Sequence, residues 1–361
     1  MDKELYIGVM SGTSLDGIDL ALCEIDDTSC KLIKAQEYPF DKPLKDEILN
    51  LISNSATLQQ IGTVDIRLGH LYANAINNFI QTNNLDKNNI RAIGLHGQTL
   101  WHEPEGDFPF SMQLGDANTI VAKTGLKIVT DFRGMDIANG GQGAPFAPAF
   151  HQFLFGRLEG NIAVLNIGGM ANITLLQEEL KGWDTGCGNV LLDMWISQTQ
   201  QKAYDKDGLF AKSGTLNAAL LDAMLEDKYF EKEPPKSTGR EYFNNTWLAN
   251  YLPLFNTIAE NDIQRTLLEL TAKSIANDVN ATQTNKLIVC GGGCKNTFLM
   301  QRLNKLTRCE IIISDKLSVS SDYLEAMAFA WFAYKRVHEE IVALRSVTGA
   351  NKDALLGAIY G

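Results

Sequence analysis

Near the start of the chain, Ser11-Gly12-Thr13-Ser14-Leu15-Asp16-Gly17-Ile18-Asp19 places glycine, hydroxyl and carboxylate groups between two apolar stretches, Leu5 to Met10 and Ile18 to Ile25. Small residues let backbone N–H groups close on an anion, hydroxyls donate to phosphoryl oxygens, and a carboxylate can hold a hard cation through water. The run therefore has the makings of a phosphate-binding turn. It is not a Walker loop, because no Gly-Lys-Ser/Thr follows and the chain continues as a strand instead of a helix. Nor is it the G-x-G-x-x-G of dinucleotide folds. A tight hairpin with no ligand can carry the same residues.

Other groups recur at strand ends. Ile162 to Ile167 runs into Gly168-Gly169 and out again through Ile173 to Leu176, a second strand, glycine turn and strand. Ile90 to Leu95 ends in the polar turn His96-Gly97-Gln98-Thr99, Leu126 to Thr130 leads to Asp131 and Arg133, and Lys286 to Cys290 ends in Gly291-Gly292-Gly293. In α/β proteins ligand groups collect at the carboxyl ends of buried strands.

The elements that must position these groups follow from periodicity. In Ile66 to Gln81 the residues Leu68, Leu71, Ala75, Ile76, Phe79 and Ile80 share one helical face, which needs a sheet to cover. Further helices are expected over about Asp116 to Lys123, Thr215 to Leu225, Ile263 to Val279 and Asp322 to Arg336. The order of elements occurs twice, which indicates a duplicated α/β domain instead of a short-period solenoid. A length of 361 residues also favours two domains. Asn139 to Pro145 reads as a linker or hinge. The expected boundaries are 1–133 with about 338–361 folding back for the first domain, and 134–337 for the second.

Composition narrows the function classes. A net charge of -11, with no Lys/Arg cluster interleaved with aromatics, argues against nucleic-acid binding. No run approaches the eighteen or so apolar residues of a membrane span, and Met1-Asp2-Lys3-Glu4 leads straight into a strand, so a cytoplasmic chain is expected. The six cysteines are dispersed and read as free thiols; Cys290 and Cys294 lack C-x-x-C spacing and a nearby histidine, which disfavours a metal site.

Two glycine hairpins on two similar domains, plus a glycine triplet before a helix, resemble the actin, hexokinase and Hsp70 superfamily. Its members have two ribonuclease H-like domains flanking a cleft, where the hairpins clasp nucleotide phosphates and the later glycine turn receives the adenosine. The match narrows with Gly8 to Asp19, His96-Gly97-Gln98-Thr99-Leu100-Trp101-His102, Asp184-Thr185-Gly186-Cys187-Gly188-Asn189 and Lys236-Ser237-Thr238-Gly239-Arg240-Glu241-Tyr242-Phe243. Together these resemble the anhydro-N-acetylmuramic acid kinases of bacterial cell-wall recycling, over residues 6 to about 358. One departure is Cys187, where the family commonly has proline; it releases one fixed φ in the loop.

The resemblance implies that ATP phosphorylates O6 of 1,6-anhydro-N-acetylmuramic acid while water attacks C1, giving N-acetylmuramic acid 6-phosphate and ADP. It assigns ATP contacts to Gly12, Thr13, Ser14, Leu15, Asp16, Gly17, Ile18, Asp19, Gly168, Gly169, Gly291, Gly292 and Gly293. A carboxylate must take the proton from water. Asp184, in what reads as a flexible turn after a strand-like segment, is the candidate base; the alternative is a cap for the helix beginning near Asn189. Asp16 is the candidate Mg²⁺ contact, with Asp131 competing, and Asp19 could simply pair across the hairpin. His96, Gln98, Asp131, Arg133 and Glu325 are the candidate sugar-binding groups. Arg133 either forks onto the lactyl carboxylate or pairs with Asp131 or Asp136, and Glu325 either meets the sugar or caps its helix. The family also suggests a homodimer. Two other readings stay open: an ordinary sugar kinase, in which Asp184 deprotonates the acceptor hydroxyl, and a nucleotide switch of actin or chaperone type.

Overall fold

A computed structural model describes residues 2–12, 15, 17–177, 179–255 and 257–361. In chain order its strands are β1 (Glu4–Ser11), β2 (Gly17–Ile25), β3 (Cys30–Pro39), β4 (Ile90–Leu95), β5 (Gln98–Glu103), β6 (Phe110–Leu114) and β7 (Ile128–Thr130), then β8 (Ile162–Ile167), β9 (Met170–Leu176), β10 (Lys181–Cys187), β11 (Lys286–Cys290) and β12 (Glu310–Ile313), and lastly β13 (Ala358–Tyr360). The chain divides into two compact units, Met1–Leu154 with Tyr323–Gly361, and Phe155–Asp322.

The first unit is built on the sheet β13-β7-β4-β1-β2-β3. β1 and β2 pair antiparallel from Glu4 opposite Ile25 to Ser11 opposite Ile18, while β4 lies parallel to β1 on its other side. Being covered on both faces, β1 and β4 read as nearly continuous apolar runs. One cover is the helix Leu58–Thr82, whose Leu68, Tyr72, Ile76 and Phe79 share a core with Ile7, Val9, Ile93 and Leu95. It begins eight residues before the expected Ile66, because a capping box between Thr57 and Gln60 starts it and its first, exposed turns need no apolar stripe. The other cover is the helix Leu324–Val337. A Cβ added to Gly8 would stand 1.7 Å from the Ala326 carbonyl oxygen, and one on Gly94 1.9 Å from that of Phe329, so helix and strand backbones meet directly.

This packing corrects the expected boundaries. The helix Leu324–Val337 belongs to the first unit because it covers β1 and β4, so the division falls after Asp322 instead of at 337. Asn139 to Pro145 is not a linker. Gln142 N donates to the Thr348 carbonyl at 2.9 Å and Gly143 N to Asp136 Oδ2 at 2.7 Å, while Thr348 Oγ1 donates to Asp136 Oδ1 at 2.8 Å. The buried Asp136 carboxylate thus ties the glycine-rich stretch to the C-terminal segment, all within the first unit. The last strand, β13, closes the sheet antiparallel to β7.

The second unit repeats the plan in the order β10-β9-β8-β11-β12, with β8 parallel to β11 and β9 and β10 forming the antiparallel meander. Two meanders, each extended by parallel strands on the far side of the first strand, make the chain a pair of actin-like, ribonuclease H-type units. The helix Glu260–Asn280 is buried along most of its length against this sheet's core, through Leu267, Leu268, Leu270 and Ile275. Gly94→Val is expected to destabilise the first unit by more than about 4 kcal/mol, since neither opposing backbone can retreat. Denaturant unfolding checks this, and a loss below 1 kcal/mol, roughly the scale of an ordinary surface change, would contradict the close approach.

Candidate active site

In the first unit the polar groups gather where β4 and β7 end. His96 follows β4, its N–H on the Val9 carbonyl at 3.0 Å and its ring 4.8 Å from that of Phe329. Burial, with the Arg133 charge adding, pushes its pKa down to about 3 against the weaker pull of the Gly97 and Ser11 backbones, so the imidazole is neutral. Arg133 Nη2 donates to His96 Nε2 at 2.9 Å, which leaves the ring proton on Nδ1. Arg133 Nη1 donates to the Gly143 carbonyl at 2.9 Å. Burial lowers the guanidinium to about 10, opposed by Glu325.

Three buried polar atoms here, His96 Nδ1, Gln98 Oε1 and Arg133 Nε, have no hydrogen-bond partner among the described residues. Each such group costs about 1–3 kcal/mol, a penalty that a polar ligand relieves. Gln98 opens β5, so the expected polar turn is only His96-Gly97, and Gln98 and Thr99 lie in a two-stranded ladder opposite Leu114 and Gln113. Gly97 takes the positive φ of 76° that makes this sharp change of direction possible.

Arg133 forms no ion pair with Asp131 or Asp136 among the described residues. Asp131 instead accepts from Gly134 N at 3.2 Å, from a left-handed backbone with φ 57°, and burial raises its carboxyl. Glu325 lies in the first turn of its helix, exposed by area yet crowded by protein atoms, and that desolvation raises its carboxyl against the Arg133 charge.

The first glycine hairpin is partly structural. Leu15 N donates to the Gly12 carbonyl at 3.1 Å, and the side chains of Leu15 and Ile18 are buried in the core, so these two can offer a nucleotide only backbone. Gly17 faces the Glu37 side chain, and Asp19 sits in β2 opposite Met10 and Glu37. Thr13, Ser14 and Asp16 lie outside the described residues. Among the described residues no three His, Cys, Asp or Glu side chains converge on a metal position.

In the second unit Gly168 and Gly169 form the turn from β8 to β9. Gly188 N and Val190 N donate to the Gly169 carbonyl at 2.9 and 3.0 Å, and Asn189 N to that of Gly168 at 2.8 Å, which pins the turn to the start of the helix Val190–Gln200. Of the glycine triplet, only Gly292 faces open space. A Cβ on Gly291 or Gly293 would stand 2.3 Å from Asn166 Oδ1 or Ile167 Cγ2 respectively, so these two serve packing.

Asp184 stands in β10, not in a flexible turn. The ladder with β9 slips between Asp184 and Gly186, an irregularity of the kind that re-aims a side chain. Asp184 N donates to the Lys236 carbonyl at 3.0 Å, and its Oδ2 accepts Thr238 N at 2.9 Å. Tyr229 OH donates to its carbonyl at 2.7 Å. It caps no helix. Burial, with the Glu241 charge adding and the Thr238 N–H opposing, pushes its carboxyl up to about 6. Beside it Thr238 Oγ1 is buried without a partner among the described residues.

The segment 236–238 went unassigned in the sequence, although Lys236 to Phe243 stood out as a motif. Lys236 is buried, 3.4 Å from Asp278, which also accepts Trp183 Nε1 at 2.7 Å. These partners are separated by tens of residues, and no local spacing could have joined them. Cys187 is buried near Thr271 Oγ1, its thiol pushed up to about 12 by burial, so it is unreactive at neutral pH.

A sequence model of the family described as anhydro-N-acetylmuramic acid kinase matches residues 4–361. An anhydro-N-acetylmuramic acid kinase of Sulfurimonas denitrificans is 58% identical, over 99% of this chain and 100% of that relative. One of Vibrio vulnificus is 48% identical, over 99% and 98% respectively. Among solved structures, the Acidaminococcus fermentans (R)-2-hydroxyglutaryl-CoA dehydratase component A superposes with a TM-score of 0.50 over 93% of this chain and 99% of that one. At 12% identity that likeness concerns the fold alone.

The buried pair of His96 and Arg133 makes a spectroscopic prediction. The His96 ring is expected to stay neutral, with the proton on Nδ1, from pH 5 to 8 in nitrogen NMR. A titration midpoint near 6.5, the ordinary histidine value, would contradict it.

Proposed function

The chain belongs to the anhydro-N-acetylmuramic acid kinase family, and we propose how its residues divide the reaction. The enzyme is an ATP-dependent kinase of cell-wall recycling that converts 1,6-anhydro-N-acetylmuramic acid and water to N-acetylmuramic acid 6-phosphate. The water oxygen bonds to C1 as the C1–O6 bond breaks. O6 bonds to the γ-phosphorus as its bond to ADP breaks, and one water proton is left for a base.

Asp184 takes that proton. The observation that carries this reading is a carboxyl raised to about 6 whose Oδ2 is held by the Thr238 N–H. A base with a pKa close to working pH combines ionisation with proton affinity, which is typically worth about 10²–10⁴ in rate. The buried, unpartnered Thr238 hydroxyl can steady the same water.

His96, Gln98, Asp131, Arg133 and Glu325 bind the sugar, and the buried, unpartnered atoms of His96, Gln98 and Arg133 support this. Nη1 and Nη2 of Arg133 each give one N–H to the protein, and the buried, unpartnered Nε–H is free to meet the lactyl carboxylate. The turn Gly168-Gly169 and the run Gly12 to Asp19 hold phosphates, and Gly292 lies at the adenosine. Mg²⁺ arrives with ATP and offsets phosphate charge; with no cage among the described residues, the nucleotide supplies most of its ligands, and Asp16 is the candidate protein contact.

No helix among the described residues is long and apolar enough to cross a membrane. The resemblance supports a cytoplasmic homodimer, which light scattering would overturn by returning the single-chain mass of 39.8 kDa.

Asp184→Asn is expected to keep ATP and sugar affinities within a few-fold while lowering kcat by about 10²–10⁴. Its thermal stability should match or exceed that of the parent at pH 8. The raised pKa means that the folded state binds the extra proton, so ionising Asp184 above about 6 costs stability that asparagine does not forfeit. For the parent, kcat should fall as pH drops through about 6. In ¹⁸O-labelled water the label should enter at C1. A product that keeps the anhydro bridge would establish the ordinary sugar kinase instead, and near-normal turnover of the variant would remove Asp184 from the role of base.

A further inference from the structure

The segment that holds Asp184 continues into Gly239-Arg240-Glu241, and it is anchored on its far side as well. Tyr242 N and Phe243 N both donate to the Gly239 carbonyl at 3.1 Å, Phe243 is fully buried, and Tyr242 OH donates to Asp227 Oδ1 at 2.6 Å. Arg240 is thus presented from a tight turn between two fixed points.

Its guanidinium lies beside Gly169. Nη2 and Nε lie 3.6 and 3.7 Å from where a Cβ on Gly169 would sit, so the cation rests on the open side of the Gly168-Gly169 turn. Arg240 is exposed, and among the described residues no side chain pairs with its guanidinium. An arginine held against a glycine turn with no protein partner is arranged for a ligand anion.

The turn has need of such a cation. The N–H groups of Gly188, Asn189 and Val190, at the start of the following helix, are spent on the carbonyls of Gly168 and Gly169, so they are not available to phosphate. The nearby Lys236 is committed to Asp278. The chain carries a net charge of -11 and offers no general attraction to ATP, so the charge must be met locally.

We infer that Arg240 is a further catalytic residue, which binds the β- and γ-phosphoryl oxygens of ATP at the Gly168-Gly169 turn and neutralises the charge that grows there as the phosphoryl group moves to O6. The inference rests on the phosphate-binding role proposed for that turn. Arg240 stays protonated throughout and adds no proton or electron to the balance given above. Its planar fork suits two phosphoryl oxygens, which a lysine meets only as a point charge. Because Arg240 and Thr238 sit two residues apart, one short segment serves both the phosphate and the base.

The experiment uses the full-length enzyme with ATP, and three variants. Arg240→Ala is expected to lower kcat by about 10²–10³-fold, the scale seen when one charge-stabilising donor is removed. Added guanidinium ion should restore part of that loss, and Arg240→Lys should fall between. A purely structural role would not respond to guanidinium. Gly169→Ala, whose methyl fits without moving Arg240, should weaken ATP binding at least fivefold by calorimetry. Unchanged kinetics in Arg240→Ala with impaired ATP binding in Gly169→Ala would overturn the inference and leave the turn's role standing. Unchanged behaviour in both would overturn the two together. An impaired Arg240→Ala without guanidinium rescue would also overturn it.

Discussion

A carboxylate is a more effective base near neutral pH when it is kept from bulk water without being tied into an ion pair that would hold its proton affinity down. The pairing of Asp184 with the segment 236–238 meets that constraint. The backbone exchange at Lys236 and Thr238 fixes the side chain's direction, and burial raises its pKa to about 6. The Lys236 charge, which could have undone this, is drawn instead to Asp278 and over the Tyr229 ring at 5.4 Å. The cation is satisfied at Asp278, and the proposed base keeps the neutral Thr238 N–H and the Glu241 charge as its neighbours. Removing Lys236 would therefore disturb Asp184 through geometry before it did so through charge.

Much of the fold was legible because local chemistry and tertiary need coincide there. β4, β8 and β11 lie where Ile90 to Leu95, Ile162 to Ile167 and Lys286 to Cys290 put them, since a short apolar run closed by glycine or a polar turn has few alternatives. The readings that failed share a cause. Asn139 to Pro145 has the composition of a hinge, but the carboxylate that ties it down, Asp136, is itself joined to Thr348, over two hundred residues away. Trp183 to Gly186 has the composition of a turn, but β9 imposes a strand, and the flexibility its glycine suggests is expressed as a slip in the ladder. In each case a distant partner outweighed a local preference.

The candidate site was legible by residue type more than by geometry. His96, Gln98 and Arg133 were recognisable as polar groups at strand ends, yet that each would keep one buried atom unpartnered could be known only from their packing. Glycines divide in the same way. Gly8 and Gly94 admit a helix backbone and Gly291 and Gly293 admit neighbouring side chain and backbone, while Gly292 alone of the triplet looks onto open space. Spacing marks all of them alike; only the neighbours separate those that serve packing from those that can serve a ligand.

The discontinuity of the first unit bears on how the protein is made. The second unit is one unbroken stretch, Phe155–Asp322, complete before the ribosome reaches Tyr323. The first unit begins earlier and finishes later: until Leu324–Val337 is synthesised, one face of β1 and β4 has no cover, and until Ala358–Tyr360 leaves the exit tunnel β7 remains an open edge. The half of the chain that is translated first is thus the half that must wait longest to fold.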